Sequence, residues 1–145
     1  YIEDVGPLPS YGFKLVRKLN LDGMVHFTGR LTREELAQHY SAAKIAIVPS
    51  LYEGFGIPAA EAMACGTPVI ATTGGALPEV VGNAGILVPP GKADALAAAI
   101  KQLLNDAEMQ RRMSEAGRKR VEEKFNWEQA ATRTLEVYQE VLKTR

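Results

Sequence analysis

Ile45-Ala46-Ile47-Val48-Pro49-Ser50-Leu51-Tyr52-Glu53-Gly54-Phe55-Gly56-Ile57-Pro58-Ala59-Ala60-Glu61 contains, in succession, the three parts of a parallel-sheet unit. Ile45 to Val48 is continuously apolar and rich in β-branched residues, the pattern of a strand buried on both faces. Pro49-Ser50 ends that strand, and a glycine-rich loop carries the chain to Pro58. Proline suits the first helical position and Gly66 is a natural stop, so the reading is a short helix from Pro58 to Cys65.

The pattern repeats downstream. Val69-Ile70-Ala71-Thr72 reads as a second buried strand, Thr73-Gly74-Gly75 as a turn, Pro78 to Val81 as a short helical segment and Gly85-Ile86-Leu87-Val88 as a further strand. From there the chain reads as helical. Asp94 to Leu104 places Leu96, Ile100, Leu103 and Leu104 at helical spacing, and Glu108 to about Glu123 is strongly charged. Asn126 can cap a last helix from Trp127 to Lys143, whose apolar stripe is Leu135, Tyr138 and Leu142. Upstream, Thr32-Arg33-Glu34-Glu35 is a capping-box pattern that starts a helix running to about Ala42. Met24-Val25-His26-Phe27 reads as a short strand closed by Gly29, and Tyr11 to Leu19 as a helix with Phe13, Leu15, Val16 and Leu19 on its apolar side. Tyr1 to Val5 reads as the tail of a strand, followed by turn residues Gly6 to Pro9. Strands alternating with helices predict an α/β layer. With right-handed crossovers it becomes a Rossmann-like parallel sheet with helices on both faces.

Composition narrows the function classes. The chain has 145 residues, the length of one ordinary domain, with 46% hydrophobic and 23% charged residues, as in a soluble globular protein. Seventeen basic residues balance 17 acidic ones, so no bulk positive field favours nucleic acid or an anionic membrane. An anion would have to be held by a local site. Cys65 is the sole cysteine, which rules out an intramolecular disulfide and a thiolate metal cage. It reads as a small buried thiol. No apolar run reaches the roughly 20 residues of a bilayer span. A cytoplasmic location is expected, and the start at Tyr1 without methionine suggests a fragment.

Ligands of open parallel sheets bind at the carboxyl ends of the strands. Four loops fall there: Thr28-Gly29-Arg30-Leu31, Pro49 to Ile57, Thr72 to Leu77, and Pro89-Pro90-Gly91. The second is the richest. Its glycines allow close backbone approach, and the following helix aims N–H groups and a positive dipole end at the loop, a setting for a diphosphate. Glu53 lies in the loop and Glu61 is placed in the first helical turn. A carboxylate can accept from two vicinal hydroxyls, so a polyol such as a ribose or hexose suits this pair.

Ile47 to Val81 resembles the signature region of family 4 (group 1) retaining glycosyltransferases, which have two Rossmann domains facing across a cleft (the GT-B architecture). Glu53 and Glu61 match that family's Glu-x7-Glu pattern, and Glu61-Ala62-Met63-Ala64-Cys65-Gly66-Thr67-Pro68-Val69-Ile70 continues it. The likeness extends upstream through Val25 to Tyr40 and downstream through Pro78-Glu79-Val80-Val81 to Phe125-Asn126-Trp127. It implies a UDP- or GDP-sugar donor whose sugar is transferred with retention of configuration. In the roles it carries over, Glu53 is the catalytic residue near the donor sugar. Gly54, Phe55, Gly56 and Ile57 lie beside sugar and diphosphate, Glu61 holds the ribose, and Arg30 and Leu31 lie against the nucleobase. No metal and no cofactor is implied. Catalysis rests on orientation and on stabilising the leaving diphosphate.

The resemblance makes residues 1–145 the carboxy-terminal, donor-binding domain of a larger two-domain enzyme. The sheet is then incomplete at its amino-terminal end. The family's strand ending in Gly-Arg, with its nearby lysine, has no match here, because Gly29-Arg30 belongs to a later strand. The acceptor domain is absent as well, the isolated chain is expected to be nearly inactive, and the last helix is expected to cross to the other domain. His26 and His39 read as structural, and Phe125 and Trp127 as a hydrophobic staple. The basic cluster Arg111, Arg112, Arg118, Lys119 and Arg120, interleaved with Glu115, Glu122 and Glu123, reads as a solvated helix face rather than a membrane dock. Membrane association is not indicated. The alternatives are a non-catalytic nucleotide-binding or assembly module, and a sugar-nucleotide epimerase or phosphorylase of the same architecture. A phosphorylase would need a lysine-bound pyridoxal phosphate, and no lysine stands near the glycine-rich loop.

Overall fold

A computed structural model describes residues 9–143. The strand tail expected over Tyr1 to Val5, and the turn up to Leu8, lie outside the described residues. The chain divides into two compact units, Tyr1–Leu36 and Ala37–Arg145.

In the first unit, α1 (Pro9–Lys18) matches the helix expected from Tyr11. Phe13 and Leu15 on this helix, and Leu19 just past its end, remain about half exposed. Phe13 meets Phe27 with ring centroids 4.3 Å apart. Gly12 makes room for that ring, since a Cβ there would stand 3.2 Å from Phe27 Cε1. The strand expected over Met24–Phe27 does not form; Phe27 alone is a bridge residue. The turn over 22–24 takes in Met24, and Val25 and His26 make no strand pairing. The capping box forms as expected at the start of α2 (Arg33–Ala42), a helix whose residues from Ala37 onward belong to the second unit: the Thr32 N–H donates to Glu35 Oε2 (2.8 Å) and the Glu35 N–H to Thr32 Oγ1 (3.2 Å).

The second unit holds β1 (Ala46–Val48), α3 (Ile57–Ala64), β2 (Val69–Thr72), α4 (Leu77–Val81) and β3 (Ile86–Val88). Three long helices follow: α5 (Ala93–Leu104), α6 (Ala107–Lys124) and α7 (Trp127–Lys143). The strands form a parallel sheet in the order β1-β2-β3, with Ile47 beside Ile70 and Ala71 beside Leu87. This is the expected Rossmann-like α/β layer.

Strand alternation divides the core into two layers. Ala46, Val48, Val69 and Ala71 face α3 and α4, where they pack with Ala59, Ala62, Met63, Leu77, Val80 and Val81. Ile70 and Val88 face the other way, against Ala99 and Leu103 of α5, with Met109 and Met113 of α6 at the edge. Helices therefore cover both faces. β1 is the exception to the expected two-sided burial, for Ile47 is 40% exposed. The α5 helix packs on β2 and β3 and leaves the Ile47 side of β1 open.

Helix ends account for much of the remaining order. α3 closes in a Schellman turn, with the Gly66 N–H on Met63 O (2.9 Å), the Thr67 N–H on Ala62 O (2.9 Å) and Gly66 at φ 75°. Asp106 caps α6 by accepting from the Met109 N–H (2.8 Å), and Asn126 caps α7 by accepting from the Gln129 N–H (2.8 Å). The basic face of α6 is only partly the solvated surface expected. Arg111–Glu115 and Lys119–Glu123 are exposed i, i+4 pairs. Arg120 instead donates from Nε to Val80 O and from its guanidinium to Glu79 O, each at 2.7 Å, and Arg118 donates to Cys65 O at 3.3 Å. Both arginines thus satisfy carbonyls at the carboxyl ends of α4 and α3. Cys65, expected to be buried, is half-buried at this junction.

The staple expected of Phe125 and Trp127 does not form. Phe125 stands edge-on to Phe55, with centroids 5.7 Å apart and rings at 86°. Trp127 is 91% exposed. Along α7, Leu135, Tyr138 and Leu142 lie on the predicted stripe and none is buried.

Candidate functional site

The richest loop of the sequence, residues 49–56, leaves the carboxyl end of β1 and lies against the loop 73–76 that leaves β2. Thr72, the last residue of β2, is buried among apolar neighbours, so its hydroxyl needs partners. Oγ1 donates to Ser50 O (2.5 Å) and accepts from the Gly74 N–H (3.3 Å). The Ala76 N–H donates to Glu53 O (3.0 Å), and the Thr73 N–H to Val88 O (2.9 Å). These bonds join the ends of all three strands.

The two glycines of the second loop permit this approach. A Cβ on Gly74 would collide with the Leu51 carbonyl oxygen, and one on Gly75 with the Glu53 carbonyl oxygen. Gly75 also sits at φ 63°, a conformation costly for any residue with a side chain.

Glu53 is half-buried in the first loop, and Ser50 Oγ donates to its Oε1 at 2.6 Å. The length is that of a short, well-formed hydroxyl–carboxyl hydrogen bond. Gly56, at φ 95°, ends the loop as the N-cap of α3 and packs over Leu77 and Val80. Helix α3 begins at Ile57, one residue earlier than expected, so Pro58 occupies the second helical position. The Ala59 and Ala60 N–H groups both turn to Gly56 O, at 3.1 and 3.2 Å. Pro58 has no N–H, so it leaves no orphan donor at the second helical position.

Glu61 is the fifth residue of α3 and is exposed, one position further along than expected and just past the first turn. The dipole argument for a first-turn carboxylate therefore does not account for it. It lines a groove of about 610 Å³ with Phe55, Ile57, Lys124, Phe125, Trp127 and Arg133 among the other walls. Glu53 is not part of that lining; its carboxylate is turned to Ser50. Gly54 has open space where a side chain would stand.

Arg30 and Leu31 lie in the first unit, between Gly29 and the capping box, with Arg30 exposed and Leu31 half-buried. Among the described residues, no three His, Cys, Asp or Glu side chains cluster as a metal site would require. Nor is any described helix long and apolar enough to cross a membrane.

Sequence reasoning assigned no site role to Thr72 or Ser50, and gave Phe125 only a structural one, in a staple with Trp127. A hydroxyl ending a buried strand could have flagged Thr72, because it must find a partner there. The partner itself, twenty-two residues away, comes from strand pairing.

Residues 5–120 match the family model described as "Glycosyl transferases group 1". The MMP alpha-(1->4)-mannosyltransferase of Mycolicibacterium hassiacum is 44% identical over 132 residues, covering 89% of this chain and 32% of that protein. The D-inositol 3-phosphate glycosyltransferase of Streptomyces bingchenggensis is 39% identical over 137 residues, covering 93% of this chain and 30% of that one. Among solved structures, a sucrose-phosphate synthase from Thermosynechococcus elongatus superposes with a TM-score of 0.83 at 43% identity, over 94% of this chain and 35% of that one. The chain thus spans about a third of the length of the curated relatives it matches. With its Rossmann-like sheet and the Glu53–Glu61 segment inside the matched region, the chain belongs to the group 1 glycosyl transferases.

Proposed function

We propose that residues 1–145 are the carboxy-terminal, donor-binding domain of a retaining glycosyltransferase. The domain binds a UDP- or GDP-sugar and presents it to an acceptor held by an amino-terminal domain of the same enzyme. Glu53 serves as the catalytic residue beside the donor sugar, and Glu61 accepts from the ribose hydroxyls. The N–H groups of Gly56 and Ile57 hold the diphosphate, with Gly54 and Phe55 alongside, and Arg30 and Leu31 lie against the base. The reaction needs neither a resident metal nor a cofactor, and it takes place in the cytoplasm.

The observation that carries this reading is the strand-end loop pair. It anchors Glu53 by both backbone and side chain, and it leads directly into the helix that exposes Glu61. Donors fixed before the ligand arrives suit a reaction in which negative charge grows on a leaving diphosphate. Two relatives carry names of sugar-transferring enzymes, a mannosyltransferase and a glycosyltransferase, which supports transfer of a sugar by the parent enzyme. The exposed stripe of Leu135, Tyr138 and Leu142 on α7 supports a further domain as its cover.

The test is a calorimetric titration of the intact protein with UDP and with GDP, alongside Glu61→Ala. Binding of one nucleotide that weakens roughly tenfold or more in Glu61→Ala supports the reading, since a hydrogen bond to a charged group is lost. Binding of neither nucleotide by the folded intact protein overturns it.

A further inference from the structure

We propose that Ser50 is a positioning residue, which orients the Glu53 carboxylate toward the donor sugar and is itself set by Thr72. This rests on the donor-site reading above and deepens it.

Glutamate has three side-chain torsions, and a flexible carboxylate on a glycine-flanked loop would sample many directions. Ser50 removes that freedom. Its Oγ–H binds Oε1 at 2.6 Å, which leaves Oε2 to accept from a sugar hydroxyl. The backbone of Glu53 is held separately, by the Ala76 N–H on its carbonyl. Ser50 is placed in turn by Thr72, whose hydroxyl donates to the Ser50 carbonyl at 2.5 Å while accepting from the Gly74 N–H. The carboxylate direction is thereby referred to the end of β2, the middle strand of the sheet. Thr72 is 3% exposed, so solvent cannot substitute for its hydroxyl. In this arrangement Ser50 acts through Glu53, so its effect is expected at the sugar end of the donor.

The experiment compares wild type, Ser50→Ala, Ser50→Thr, Thr72→Val and Thr72→Ser in the intact protein. It measures nucleoside diphosphate release from UDP-glucose or GDP-mannose, and titrates the matching free nucleotide. Ser50→Ala is expected to lower kcat about tenfold, the scale of a lost charge-assisted hydrogen bond, while affinity for the free nucleotide moves less than twofold. Ser50→Thr, which keeps the hydroxyl, is expected to restore the rate, and Thr72→Ser to outperform Thr72→Val. Wild-type rates in Ser50→Ala would overturn the inference. So would an equal loss of free-nucleotide affinity, which marks a merely structural role. Should wild type bind no nucleotide, the donor-site reading falls first and this inference falls with it.

Discussion

The backbone carbonyl of Glu53 accepts a hydrogen bond from the N–H of Ala76 at 3.0 Å, joining the loop that leaves β1 to the loop that leaves β2. Glu53 is therefore held by its main chain as well as by Ser50. The candidate site is a property of two strand ends rather than of one motif.

Gly75→Ala tests that junction. The new Cβ would meet the Glu53 carbonyl oxygen, at a φ that alanine adopts only with strain. A loss of about 2–4 kcal/mol is expected, from the unfavourable backbone conformation and the separation of the two loops together. Urea unfolding of the variant would show it as a lower midpoint at unchanged slope. A midpoint equal to that of wild type would mean the loops are not closely joined.

Arg120→Ala removes two hydrogen bonds to the end of α4, on Val80 O and Glu79 O. An expected cost of about 1–3 kcal/mol follows from leaving these acceptors without their charged partner. Arg111→Ala, which breaks an exposed i, i+4 pair with Glu115, is expected to cost less than about 0.5 kcal/mol. Thermal unfolding of the two variants side by side checks the contrast. Equal losses would show that Arg120 is also merely a surface charge.

Met63→Ala opens a cavity where α3 packs against α6. Met63 is 1% exposed, and its Cγ lies 3.2 Å from where a Gly117 Cβ would stand. A destabilisation of about 2–5 kcal/mol is expected, as for other large apolar side chains deleted from a core. Partial rescue in Met63→Ala combined with Gly117→Ala would confirm that the two positions share one volume. Strict additivity of the two effects would argue against it.

Phe125→Ala is expected to alter the groove without disrupting the sheet. Phe125 packs edge-on to Phe55 across the wall that Glu61 shares. An aromatic pair of this geometry contributes about 0.5–1.5 kcal/mol beyond its buried area. Proteolysis at the α6–α7 junction should therefore accelerate, and nucleotide affinity should weaken through displacement of Phe55. An unchanged affinity would show that Phe55 keeps its position without that partner.

Much of this molecule could be read along the chain. The apolar run at Ile45 to Val48, the capping box at Thr32 and Glu35, the stop at Gly66 and the cap at Asn126 are local features, decided by residues within a few positions of each other. Their elements form where the sequence places them, within a residue or two. The α/β class follows from their alternation, and the family match is carried by the stretch that includes Glu53 and Glu61.

What the sequence left open depends on residues far apart in the chain. Met24 to Phe27 has the composition of a strand, yet a strand needs a neighbour to pair with, and only Phe27 bridges. Ile47 has the same apolar character as Ile70, but α5 covers β2 and β3 and not the Ile47 side of β1. Phe125 turned to Phe55 rather than Trp127, and Arg118 and Arg120 turned to the ends of α3 and α4. Local propensity could name each of these residues. Only the packing of the sheet and its helices brought their partners within reach, because a hydrogen bond or ring contact across forty residues is set by where both elements finally lie.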